Sequence, residues 1–171
     1  MTVIEFRAPW SNTVRNVTVL SLVILALPML AAFFAPTQPP LLAAILLIGV
    51  PPFIAAVTFA GRVRGYTLTE DAITVRRGLR DTRLPLEGLR SVTGDVDAMR
   101  GSIRVLGNGG MFSITGRFWN GKLGWYRAFA TDPSRAVILR YPKRTIVITP
   151  HDPQHFIMRA GTFIKVAGFP K

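Results

Sequence analysis

VTVLSLVILALPMLAAFFA (17–35) and LLAAILLIGVPPFIAAVTFA (41–60), joined by Pro36-Thr37-Gln38-Pro39-Pro40, decide how this chain is read, because neither run contains Asp, Glu, Lys or Arg. At ~1.5 Å of rise per residue each makes a helix about 28–30 Å long, matching the hydrocarbon core of a bilayer. A charge at the bilayer centre costs at least ~2.5 kcal/mol on insertion scales, so a long stretch free of charge is informative. The pattern predicts a transmembrane hairpin: a helix over 17–35, a short extracytoplasmic loop over 36–40 and a helix over 41–60. A helical hairpin buried in a soluble protein would be expected to show a polar face. A signal peptide cleaved near Ala35 would want a small residue where Phe33 stands, and the second run would still anchor the chain.

The flanks give an orientation. Arg7 and Arg15 precede the first run, Arg62 and Arg64 follow the second, and the loop between the runs carries no charge. Basic residues are retained on the cytoplasmic side, so both termini are expected there. Residues 1–16 then form a cytoplasmic N-terminal segment, in which Trp10 lies at headgroup depth as an interfacial anchor, and 61–64 is a basic linker. Pro28 and Pro51-Pro52 interrupt the backbone ladder and predict kinks, which membrane helices tolerate when neighbouring turns satisfy the freed carbonyls.

Residues 65–171 are enough for one domain with its own core. They carry 17 of the chain's 21 basic residues against eight acidic ones, and this produces most of the net charge of +12. Such a balance suggests an anionic partner. For a domain tethered beside a bilayer, the inner-leaflet surface is met before nucleic acid. With no cysteine, disulfides, thiolate metal sites and a cysteine nucleophile are excluded.

After Arg64 the apolar period becomes two. Tyr66 and Leu68, then Ile73 and Val75, alternate across Thr69-Glu70-Asp71 as a first hairpin. A turn at Arg77-Gly78-Leu79-Arg80 leads to Leu84 and Leu86, and Leu89 and Val92 mark a short fourth strand. Asp95–Gly101 reads as a loop. Ile103 and Val105 restart the pattern, which ends in the turn Gly107-Asn108-Gly109-Gly110. That glycine run lacks the Lys-Ser or Lys-Thr pair of a phosphate-cradling loop, so it is read as chain reversal. LGWYRAFAT (123–131) predicts a central strand with Trp125 in the core, and AVILRY (136–141) and TIVIT (145–149) predict two more. Asp152 and Pro153 open a helix whose apolar stripe comprises Phe156, Ile157, Ala160, Phe163, Ile164 and Ala167. About seven antiparallel strands and one plugging helix are therefore expected.

GYTLTEDAITV (65–75), RLPLEGL (83–89), GNGGMF (107–112), LGWY (123–126) and ITPHDP (148–153) together make the chain resemble the small bacterial membrane proteins in which a pleckstrin-homology (PH)-like domain follows two membrane helices. The resemblance implies a split barrel closed by the C-terminal helix over 65–171, in an inner-membrane protein with an interaction role. Eukaryotic PH domains that hold phosphoinositides use basic residues in the loop between their first two strands. The corresponding Thr69-Glu70-Asp71 is acidic, which disfavours a phosphate there. The hairpin bearing Arg76, Arg77, Arg80 and Arg83 is the alternative contact for anionic lipid or a partner, at ~1 kcal/mol per arginine near the surface.

No catalytic constellation is legible. His151 and His155 lack a clear third metal ligand, and Asp152 serves better as a helix cap. Ser102, Ser113 and Ser134 lack a nucleophile elbow, and no cofactor or metal is expected. The leading expectation is a membrane-tethered PH-like module that presents a basic surface to a protein partner or to its own copies. Sensing of anionic lipid is the alternative. Recruitment of nucleic acid ranks third and requires exposed aromatics among Phe118, Trp119 and Trp125.

Overall fold

The structure is a computed structural model that describes the backbone of residues 2–166 and the side chains of residues 2–163. Helix α1 spans Asn12–Phe33 and α2 spans Leu41–Ala60. Both are long and apolar enough to cross a membrane, and only 6% of either apolar window is buried. That exposure is the reverse of what a soluble core helix shows. α1 begins five residues before the apolar run, because the Ser11 hydroxyl caps it by accepting from the Val14 amide (3.1 Å). In α2 the Val50 amide reaches back five residues to Ile45, giving a π-helical turn over Ile45–Gly49 directly before Pro51-Pro52. The widened turn takes up the disruption of two consecutive residues that cannot donate a hydrogen bond.

Among the described residues there are ten strands, not seven: β1 Ile4–Arg7, β2 Val63–Leu68, β3 Ala72–Arg77, β4 Thr82–Pro85, β5 Ser91–Gly94, β6 Ile103–Gly109, β7 Ile114–Asn120, β8 Gly124–Ala130, β9 Val137–Tyr141 and β10 Arg144–Ile148. They form two sheets, ordered β1-β2-β3-β4 and β5-β9-β10-β8-β7-β6, and not a closed barrel. Nor is the pairing all antiparallel, since β10 returns between β9 and β8 and runs parallel to β8.

Two further differences bear on the binding surface. Gly107-Asn108-Gly109 lies within β6 and is not the turn. Gly107 pairs directly with Gly116 of β7, at φ +116 and +139, and a Cβ on either would overlap the opposite backbone. Glycine permits this close, left-handed crossing, so the chain reverses later, over Gly110–Ser113. At the other end of the chain, β1 pairs antiparallel with β2, Ile4 opposite Leu68 and Arg7 opposite Gly65. The segment ahead of α1 is thus the edge strand of the first sheet, with Phe6 in the core.

The main core lies between the sheets. Tyr66, Leu68, Ile73 and Val75 meet Phe129, Leu139, Ile146 and Ile148, and helix α3 (Pro153–Val166) packs Phe156 and Ala160 onto them. The expected stripe is seen as far as Phe163; the Ile164 side chain and Ala167 lie outside the described residues. A second core, with Tyr126, Ala128, Ile138 and Val147, covers the opposite face of the six-stranded sheet, where Val14 of α1 and Ala98 of the 95–102 loop close it.

The buried Tyr66 hydroxyl ties the sheets together. It donates to the Phe129 carbonyl (2.7 Å) and accepts from the Thr149 amide (3.1 Å). Burial pushes its pKa up to about 12. The unfolded tyrosine titrates near ~10, so between these values the unfolded chain has released a proton that the folded chain keeps. The stabilisation is complete below pH ~10 and declines as pH rises toward ~12, by about 2–3 kcal/mol in all. Tyr66→Phe is expected to remove this alkaline decline and to lower neutral-pH stability by about 1–3 kcal/mol, because a buried carbonyl and amide lose their partner. Denaturant melts of both proteins at neutral and alkaline pH check this; a wild-type melt unchanged across the alkaline range would refute it.

Candidate binding surface

The first sheet covers only part of the second. Beyond β10, the core-side face of β8 and β7 emerges into solvent, and there the hairpin register sets like against like. Arg117 pairs with Arg127, and Trp119 pairs with Trp125. Trp125 is 64% exposed and Trp119 41%, while Phe118, on the other face, is buried. Trp125 is therefore not a core residue as its strand position suggested, because no element among the described residues covers that end of the face.

Two arginines opposite one another on a sheet repel. Arg127 is partly accommodated by the Phe129 ring, 4.7 Å from its guanidinium carbon. Lys143 of the β9–β10 turn and Arg144 at the start of β10 join them around a cavity of about 490 Å³, and Arg83 of β4 reaches it from the other sheet. Among the described residues lining this cleft there is no carboxylate. Five cations, of which Arg83 is paired with Asp71, and a tryptophan line it, a composition suited to an anionic, partly planar or apolar group.

The four hairpin arginines do not share one face. Arg76 pairs with Glu5 of β1 (2.8 Å) and Arg83 with Asp71, both at the surface. Arg80 is exposed in the β3–β4 turn. Arg77 turns inward and donates from Nε to the Gly61 carbonyl at the end of α2 (3.1 Å). Burial, and then the neighbouring Arg127 charge, pull its pKa below the usual guanidinium value. The backbone at Gly78 lies so close to the Ala60 carbonyl that no side chain fits between them, holding this turn against the helix end.

Trp10 packs on Phe112 (6.0 Å), which meets Phe59 edge-on (5.3 Å), and Arg62 lies 3.5 Å above the Phe59 ring. The helix ends and the Gly110–Ser113 turn are thus joined by aromatic contacts. Thr18 adds to the joint by accepting from the Phe112 amide (2.8 Å). Arg7, Arg15 and Arg64 are exposed at the same end of the β region.

The remaining polar candidates other than Ser113 have structural partners. His151 lies against Arg135, and His155 accepts from Arg159 and packs on Phe6. Ser102 binds Tyr126 and Asn120, Ser134 donates its hydroxyl to the capping carboxylate of Asp132, and Ser113 Oγ is buried without a partner. In the acidic Thr69-Glu70-Asp71 turn, the Thr69 hydroxyl and then Arg83 hold the Asp71 carboxyl below its usual range. No three metal-ligating side chains gather among the described residues.

Sequence reading missed Arg117, Arg127, Lys143 and Arg144. A signal for the first pair was present: RFW (117–119) and WYR (125–127) are mirror images about NGKLG (120–124), as a hairpin with matched rows requires.

The bacterial PH domain model matches residues 64–161, more than half of the chain and nearly all of the two sheets. The chain belongs to the bacterial PH domain family. No curated protein and no solved structure matches it. A PH-like domain suggests a binding or scaffolding module. In this member the matched region begins within β2, so the edge strand β1, supplied from the far side of the helical hairpin, lies outside it.

Proposed function

We propose that this protein is a membrane-tethered PH-domain module, a binding protein and not an enzyme, whose basic, tryptophan-bearing sheet end captures an acidic segment of a protein partner at the cytoplasmic face of the inner membrane. The observation that carries this reading is the pair of matched rows, Arg117–Arg127 and Trp119–Trp125, exposed beside Lys143 and Arg144. Arginine and tryptophan are the side chains most often dominant in binding energy at interfaces.

Placement in the membrane draws on topology. Because β1 and β2 share a sheet, the chain before α1 and the chain after α2 lie on one side of any bilayer that the helices cross. Arg7, Arg15, Arg62 and Arg64 cluster there while residues 36–40 carry no charge, which favours the cytoplasmic side. The Ser11 amide donates to the Thr131 carbonyl at the helix-proximal end of β8 (3.0 Å). From there to Trp125 the strand runs about 20 Å, so the tryptophan row is carried away from the helices toward a soluble partner, with the arginine row between.

A second reading has a specific observation behind it: exposed tryptophans beside arginines on a sheet also suit stacking of single-stranded bases. Photo-crosslinking from the position of Trp125 in native membranes, with and without nuclease, separates the two. A protein adduct that resists nuclease is expected, and Arg117→Gln/Arg127→Gln should reduce it tenfold or more, in keeping with ~2 kcal/mol for a dominant contact. A nuclease-sensitive adduct would replace this reading with the nucleic-acid one.

A further inference from the structure

We infer that a second site, at the joint between the helical hairpin and the β domain, holds one anionic phospholipid. It rests on the membrane-tethered reading above. A cavity of about 870 Å³ opens there, distinct from the cleft at the tryptophan rows. One wall belongs to the helices and is mainly apolar, with Val17 of α1 and Ile54 and Val57 of α2 beside the hydroxyls of Ser21 and Thr58. Ile54 and Val57 are a little under half exposed, so this wall continues the apolar outer surface of the helices. The other wall belongs to the β domain and carries Arg77 and Arg104.

The two arginines are poised for an anion. Neither is in an ion pair among the described residues. Arg77 enters from β3, anchored by its single bond to the Gly61 carbonyl, with Arg127 adding positive potential behind it. Arg104 lies across the backbone at Gly109, where the absence of a Cβ leaves room for its guanidinium.

The occupant follows from the two walls taken together. A soluble anion would pair with the arginines and leave Val17, Ile54 and Val57 uncovered. A zwitterionic lipid would cover them, but it brings its own ammonium with its phosphate and so adds no net charge to balance the two arginines. An anionic phospholipid places its phosphate between Arg77 and Arg104 and its acyl chains along the helices, at the end of the apolar spans where headgroups lie. Of the four hairpin arginines only Arg77 takes part, and Arg104 is contributed by the strand ahead of the glycine run.

The test uses the full chain, delipidated in mild detergent and offered phosphatidylglycerol or phosphatidylcholine, with bound lipid counted by native mass spectrometry. One phosphatidylglycerol per chain should be retained in preference to phosphatidylcholine. Arg77→Gln and Arg104→Gln should each weaken retention about fivefold, and the double variant about thirtyfold. Arg76→Gln and Arg80→Gln, outside the cavity, should change nothing. Arg104 is exposed, so its variant reports on the site even where Arg77→Gln perturbs folding. Equal retention of the two lipids, an unaffected double variant, or displacement by glycerol phosphate as readily as by lipid would each overturn the site. Wild-type protein that dissolves without detergent would instead overturn the membrane reading on which it rests.

Discussion

Phe156→Asp should unfold the β domain. Phe156 is fully buried, 0% exposed, and meets Phe6 edge-on at 5.0 Å within the core between the sheets. Truncating a buried phenylalanine costs about 3–5 kcal/mol through lost burial and the cavity left behind. A carboxylate in its place adds an unpaired charge in an apolar setting, bringing the loss to ~5 kcal/mol or more, comparable to the whole stability of a small domain. The helices do not depend on this contact, because their exposed faces are apolar along their length. The expected result is a chain that still resists alkaline extraction from membranes but whose β region is digested rapidly by protease. Wild-type protease resistance would show that α3 is not the element closing the core.

The second large effect concerns where the domain begins. A fragment starting at Gly65, the boundary suggested by the apolar runs, lacks β1 and the first two residues of β2, and therefore loses Phe6 and Val63 from the core. It also lacks the carbonyl of Arg7, which accepts from the His151 amide (2.9 Å) just ahead of α3. Loss of the phenylalanine alone is worth about 3–5 kcal/mol. The bared edge of β2 would in addition offer unpaired backbone groups to other chains. The fragment is expected to aggregate or to remain unfolded, and joining residues 2–9 to it through a flexible linker should restore a cooperative melt. A stable monomer from Gly65 onward would show that β1 is dispensable. Binding measured on such a fragment would report on a damaged domain, so the full chain is the proper reagent for the partner and lipid experiments.

Local patterns carried much of the architecture. The two uncharged runs, the hairpin around Thr69-Glu70-Asp71, the strands near 137–148 and the stripe begun by Phe156 are all legible, because each depends on residues within a turn or two of one another. The β7 strand was hidden because Gly116 and its neighbours give no clean alternation, and the paired glycines that permit the β6–β7 crossing look like a turn when read singly. The hairpin arginines were legible as a cluster, but alternation sends Arg76 outward to Glu5 and Arg77 inward to the helix end.

By itself the sequence determined the apolar hairpin, the β-rich basic domain with its terminal helix, and which residues lie on a common face in the strands that alternate cleanly. Only the tertiary structure decided that β1 joins β2 from across the helical hairpin, that β10 slots in parallel to β8, and that the face bearing Trp125 is left uncovered at its end. The physical reason is that a period of two assigns side chains to one face or the other and is silent on what packs against that face. Coverage depends on elements distant in the chain. Because the four-stranded sheet stops short of the end of β7 and β8, two tryptophans and two arginines stand in solvent where a local reading would bury one of them.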